Sequence, residues 1–206
     1  MPGVRGHDLI TIVTGAGMAL PSYRLFVQYD PANAALDTML LVGAHLLSGM
    51  LFSPDLDLDS AIDDRWGALR WIWWPYMSIL PHRHFWSHGL VLAPLLRLAY
   101  FYLVVQGLFL GLAWLMAQLG IVLPNYHERL ADAILAVVQL HPNQVLIFLL
   151  GFVLGSAAHT AADWLVTGGK KYLRRLGYRP RRDYMLHDWA IHAPRSSSAR
   201  RIRRLW

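Results

Sequence analysis

One stretch constrains this chain more than any other: residues 145–171, VLIFLLGFVLGSAAHTAADWLVTGGKK, an apolar run that ends in a histidine and a carboxylate. As a helix it stacks Gly151, Gly155, His159 and Asp163 on one face, because residues four apart lie one above the other. The two glycines let a neighbouring helix come close, and the next two positions offer metal-ligand chemistry. An aspartate in an apolar helix is costly unless it is paired or metal-bound, so ionisable groups in such segments mark functional positions. The same four residues also suit a tightly packed membrane helix whose polar pair is only hydrogen-bonded. Whether the rest of the chain supplies partners separates the two readings.

Composition makes a membrane the first expectation. Of the 206 residues 55% are hydrophobic and only 16% charged, too apolar for an ordinary soluble domain and enough for one compact bundle. Cysteine is absent, which excludes disulfides and thiolate metal sites, so a metal here is held by nitrogen and oxygen. Ten histidines can supply the nitrogen. Residues 170–206 hold twelve Lys/Arg against two Asp/Glu, a net +10, while residues 1–169 hold seven against eleven, a net −4. The chain therefore divides into a helical membrane domain, 1–169, and a basic tail, 170–206. A tail of this kind beside an apolar helix reads as a cytoplasmic segment facing anionic lipid, with ARRIRRLW at 199–206 as its anchor; nucleic acid is the less favoured partner.

Apolar runs near 9–27, 36–53, 90–118 and 145–166 give about four spans. The first follows the short polar segment MPGVRGHD and is weakened by Pro21 and Arg24; the alternative, a signal peptide, would remove His7 on cleavage. His45 lies mid-span and reads as a packed or hydrogen-bonded histidine. At 53–60, SPDLDLDS ends the second span, and in a loop two of Asp55, Asp57 and Asp59 can turn toward one cation. The glycine and distal glutamate of an EF-hand are missing, which excludes that motif. Residues 65–80, RWGALRWIWWPYMSIL, with four tryptophans and a tyrosine, suit the membrane–water boundary, so this segment is expected to lie on a membrane and not through it. PHRHFWSHG at 81–89 follows, with three histidines within seven residues. Residues 123–143 read as a connecting excursion in which His127 and His141 have no role.

Four spans put both termini on one side, and the distribution of Lys and Arg makes that side cytoplasmic. His7, Asp55, Asp57, His82, His84, His88, His159 and Asp163 then all fall at or near the cytoplasmic ends of their spans. Neutral imidazoles with carboxylates suit zinc first, with manganese or iron as alternatives, and enough ligands exist for one ion or two. Two ions 3.5–4 Å apart clamp both oxygens of a phosphoryl displacement, and one ion with an open position hydrolyses an ester.

The early His7, PDLD at 54–57, HR at 82–83 with SH at 87–88, and HTAAD at 159–163 together resemble bacterial membrane proteins described as uncharacterised metal-binding proteins. The set is also similar to the LexA-regulated, membrane-bound metal-dependent hydrolases of the YdjM-like family, and more distantly to zinc-dependent phospholipase C. The resemblance implies residence in the bacterial inner membrane and metal ligation by His7, Asp55 or Asp57, His82, His88, His159 and Asp163. The histidine pair here is one residue further apart than the family's HRxxSH, so His82 and His84 compete for one place.

The expectation is thus an all-α, multi-span transmembrane helical bundle with a metal site at its cytoplasmic helix ends. Its expected activity is metal-dependent hydrolysis of an ester or phosphoester at the cytoplasmic membrane surface. In that reading whichever of Asp55 and Asp57 does not ligate takes the proton of the attacking water, with Asp57 the candidate. Arg83 or Arg97 faces the developing negative charge, Arg83 reading equally as a surface charge. The alternative is a non-catalytic protein in which metal staples the helices and the tail recruits a partner or lipid.

Overall fold

The computed structural model describes residues 4–57, 62–79 and 89–175, and the side chains of those from residue 5 to residue 165. The described residues are mostly helical, with no strand among them. Helix α1 spans Val4–Tyr29 and α2 Ala34–Met50. Two 3₁₀ segments, Pro54–Asp57 and Asp63–Trp73, and the short α3, Trp74–Ile79, follow. Then come α4, Leu92–Gln118, α5, Tyr126–Leu140, and α6, Pro142–Arg175. Four helical stretches, Arg5–Tyr29, Ala34–Asp57, Leu92–Gln118 and Pro142–Leu165, are long and apolar enough to cross a membrane.

Local chemistry sets the breaks. α4 closes with Gly120 in the left-handed region (φ 73°), where a side chain would be strained. The amides of Gly120 and Ile121 return to the carbonyls of Ala117 and Met116, a Schellman closure that satisfies the helix end. α6 opens on Pro142, whose ring fixes φ for a first helical position and keeps His141 out of the helical region.

Side-chain pairings fix the directions of the helices. Thr14 meets His45 and Thr11 crowds Gly49, so α1 and α2 run antiparallel. α6 runs parallel to α2: Gln144 meets Asp37, Gly151 meets Leu41, Gly155 meets His45 and His159 meets Ser53. A Cβ on Gly151 or Gly155 would run into the carbonyl oxygen of Leu41 or His45, so only glycine permits this backbone-to-backbone approach. Arg97 reaches Ser156 while Phe101 packs on Phe52, which makes α4 antiparallel to α6. The amino ends of α1 and α4 and the carboxyl-side parts of α2 and α6 therefore meet at one end of residues 1–167. These residues form one compact unit, and a second unit begins at Gly168, its described part, to Arg175, being helical.

Two expectations are corrected. The helix of the first apolar run, expected from about residue 9, already covers Val4–Tyr29 and takes in His7 and Asp8; Asp8, paired with Arg65 at 2.6 Å, holds this polar turn in place. The tryptophan-rich stretch is not a boundary segment throughout. Trp73 is fully buried and Trp66 half-buried, and both rings pack edge-on to Phe52 at 5.7 and 5.4 Å. Phe101 and Phe152 complete this aromatic core at 5.4 Å from Phe52. Such edge-to-face pairs each contribute about 0.5–1.5 kcal/mol beyond area burial. Trp71 and Trp74 face outward. Tryptophan composition alone cannot separate these two uses of the ring.

Candidate metal centre

The aromatic core anchors Phe52, and the chain leaves it through Ser53 into the Pro54–Asp57 turn. This turn faces the carboxyl-side part of α6, where the four-residue spacing has brought His159 and Asp163 onto one face. α1 supplies the third element, since Thr11 packed against Gly49 sets the register that lowers His7 onto the same end.

His7 Nε2 lies 3.3 Å from Asp163 Oδ1, and His159 Nε2 lies 3.4 Å from Asp55 Oδ2. The two imidazoles stack with centroids 3.8 Å apart and planes 14° from parallel. Potential ligand atoms of His7, His159 and Asp163 all lie within 4.8 Å of one another. Tetrahedral ligands about 2.0–2.1 Å from zinc are separated by roughly 3.3 Å, so small side-chain rotations close the set around an ion. Both histidines are buried, whereas Asp163 and Asp55 have 12% and 20% of their side chains exposed. The centre is thus closed on its nitrogen side and open on its oxygen side.

The donor set fits a divalent ion on its own chemistry. Among the described residues His7 Nδ1, His159 Nε2 and Asp163 Oδ1 are buried without a hydrogen bond of normal geometry. Buried polar atoms without hydrogen bonds of normal geometry are uncommon, and these belong to the three side chains whose potential ligand atoms lie within 4.8 Å of one another. Ser53 Oγ lies 3.0 Å from His159 Nδ1. With Nδ1–H donating to it, the Nε2 lone pair points at the Asp55 carboxylate, which is favourable with a cation between them.

Of the residues expected from sequence, His7, Asp55, His159 and Asp163 come together here. Asp57 is buried two residues beyond Asp55, and Arg97 is fully buried with its Nη2 donating to Ser156 Oγ at 2.7 Å. Tyr76 faces Arg97, and burial raises its hydroxyl above the ordinary tyrosine range. His82, Arg83, His84 and His88, Asp59 and the tail from 176 lie outside the described residues. His45 is buried, its Nε2 at 2.9 Å from Thr14 Oγ1 and donating to the Thr11 carbonyl at 3.1 Å. His127 pairs with its neighbour Glu128 at 3.8 Å, and His141 sits at the start of α6, about five turns from His159. Ser53 and the buried Asp63 escaped sequence reasoning. A single serine at the end of an apolar span has no periodicity to flag it.

No curated protein and no solved structure matches the chain. A family model described as uncharacterized metal-binding protein (DUF2227) matches residues 2–173, a range that holds every residue of this centre, and the chain belongs to that family.

Proposed function

We propose that this is an integral membrane protein of the bacterial inner membrane in which His7, His159, Asp163 and Asp55, joined by one histidine of the 82–88 segment, hold a divalent ion. Zinc is the first candidate, with manganese or iron as alternatives. The observation that carries this is the convergence of two buried, stacked imidazoles and a carboxylate from opposite ends of the sequence, residues 7, 159 and 163, at ion-binding separation. Four helices of spanning length and apolarity, with Lys and Arg gathered toward one side, support membrane residence with both termini cytoplasmic.

We further propose hydrolysis of an ester or phosphoester at the cytoplasmic lipid surface. A bound divalent ion would supply a water acidified to a pKa of about 7 and a Lewis acid for the substrate oxygen. The part-exposed carboxylate side of the centre supports substrate access from that side. Asp57, the last residue of the turn that carries Asp55, would accept the proton, and Arg83 would meet anionic oxygens with its planar fork. The likeness of the motifs to the YdjM-like hydrolases supports the same reading, and the basic tail would hold the protein against anionic lipid. The test is turnover: zinc-loaded protein in nanodiscs should release product from a panel of phospholipids, lysophospholipids and simple phosphodiesters, and Asp57→Asn should remove that turnover while retaining zinc. Stoichiometric zinc with no product from any of them would contradict hydrolysis.

The near-complete burial of His7 and His159 favours a second reading, a structural ion that staples α1 to α6. In that case chelation lowers thermal stability and there is no turnover to abolish.

A further inference from the structure

Arg97 projects from the second turn of α4 into the protein and is fully buried. A guanidinium removed from water needs counter-charge and filled donors. Three segments provide them or approach it. Ser156 of α6 accepts its Nη2–H at 2.7 Å. The Tyr76 hydroxyl faces it from α3, and the carboxylates of Asp57 and Asp55 lie near enough to act on its charge. Ser156 stands one turn before His159 on α6, and Asp57 stands two residues after Asp55 in the Pro54–Asp57 segment.

We propose that Arg97 is a positioning residue of the metal centre: it ties the turn of α6 that precedes His159 to the 3₁₀ segment that carries Asp55, and so sets the separation of those two ligands. This rests on the metal-centre reading and replaces the sequence expectation that Arg97 faces substrate. Its buried guanidinium is turned to protein groups, and the linked residues are each a step removed from a ligand.

The sign of one effect separates this role from a purely electrostatic one. A positive charge beside a dication weakens binding, so if charge alone mattered, Arg97→Gln would tighten zinc. A positioning role predicts the opposite, because loss of an outer-shell partner typically weakens metal affinity about 10- to 100-fold. Ser156→Ala keeps the charge, removes the acceptor, and should weaken zinc in the same direction. The double variant should bind no more weakly than Arg97→Gln alone, since both changes break one linkage.

The experiment is zinc competition against a chromophoric chelator, with the full-length protein in nanodiscs and thermal unfolding recorded beside it. The expected result is an affinity about tenfold or more weaker for Arg97→Gln, with a changed cobalt(II) ligand-field spectrum that a distant structural change would not produce. Arg97→Lys and Ser156→Ala provide the same readout if the glutamine variant does not fold. Zinc affinity equal to or tighter than wild type in the folded variants would overturn the proposal, as would a lowered unfolding temperature with unaltered affinity. Unchanged affinity with a fall in phosphodiester turnover would return Arg97 to the substrate. A wild-type protein that binds no zinc would overturn the metal centre itself, and this role with it.

Discussion

At His159 the ring offers two nitrogens, and Ser53 decides between them. Its hydroxyl engages Nδ1 at 3.0 Å and leaves Nε2 toward Asp55 and the neighbouring ligands. Ser53→Ala should therefore lower zinc affinity about tenfold without unfolding the protein, measured by chelator competition. Unchanged affinity would mean that the ring is oriented by packing alone. Asp55 and Asp57 are separated by the same logic. Asp55 stands at 3.4 Å from His159, whereas Asp57 is buried beside the Arg97 cluster, so Asp55→Asn should lose more zinc than Asp57→Asn. Sequence spacing named both aspartates and could not choose, because the choice depends on how a 3₁₀ turn points consecutive odd residues. His159 and Asp163 were legible because helical periodicity is independent of tertiary context. His7 was legible only as a residue type in a plausible place; its position rests on the α1–α2 register.

The helices carry the site through close packing. α6 lies against α2 at Gly151 and Gly155, where a side chain would strike backbone oxygen and has no flexible neighbour to displace. Gly155→Val should therefore push α6 from α2, destabilise the fold by about 1–3 kcal/mol or more, and weaken zinc binding, because His159 is one turn further along the same helix. Gly107→Val, on α4, meets nothing within 4 Å and should leave both properties close to wild type. Thermal unfolding of the two variants in detergent, with zinc content, checks the pair; equal behaviour would contradict the packing account. The glycine face could be read from the four-residue repeat. The inward turn of Trp66 and Trp73 could not, because an aromatic ring serves a core or an interface equally well and only the position of Phe52 settles which.

Within residues 1–167, long helices of alternating direction gather one end of each into one place and bring the acidic turn, the stacked histidines and Asp163 there. The number and approximate bounds of the apolar runs were readable from hydropathy, since four of the described helices reach spanning length. On the orientation proposed from charge, reporter fusions should place both the amino terminus and residue 175 in the cytoplasm, with the 119–125 turn on the far side. A periplasmic amino terminus would separate His7 from the cytoplasmic surface on which the proposed hydrolysis depends. The most direct test of the central claim is elemental analysis of the purified protein. Wild type should carry stoichiometric zinc or a related divalent ion, His7→Ala, His159→Ala and Asp163→Ala should each lose it, and His45→Ala, His127→Ala and His141→Ala should keep it. Metal content unchanged by His159→Ala and Asp163→Ala would contradict the centre described here.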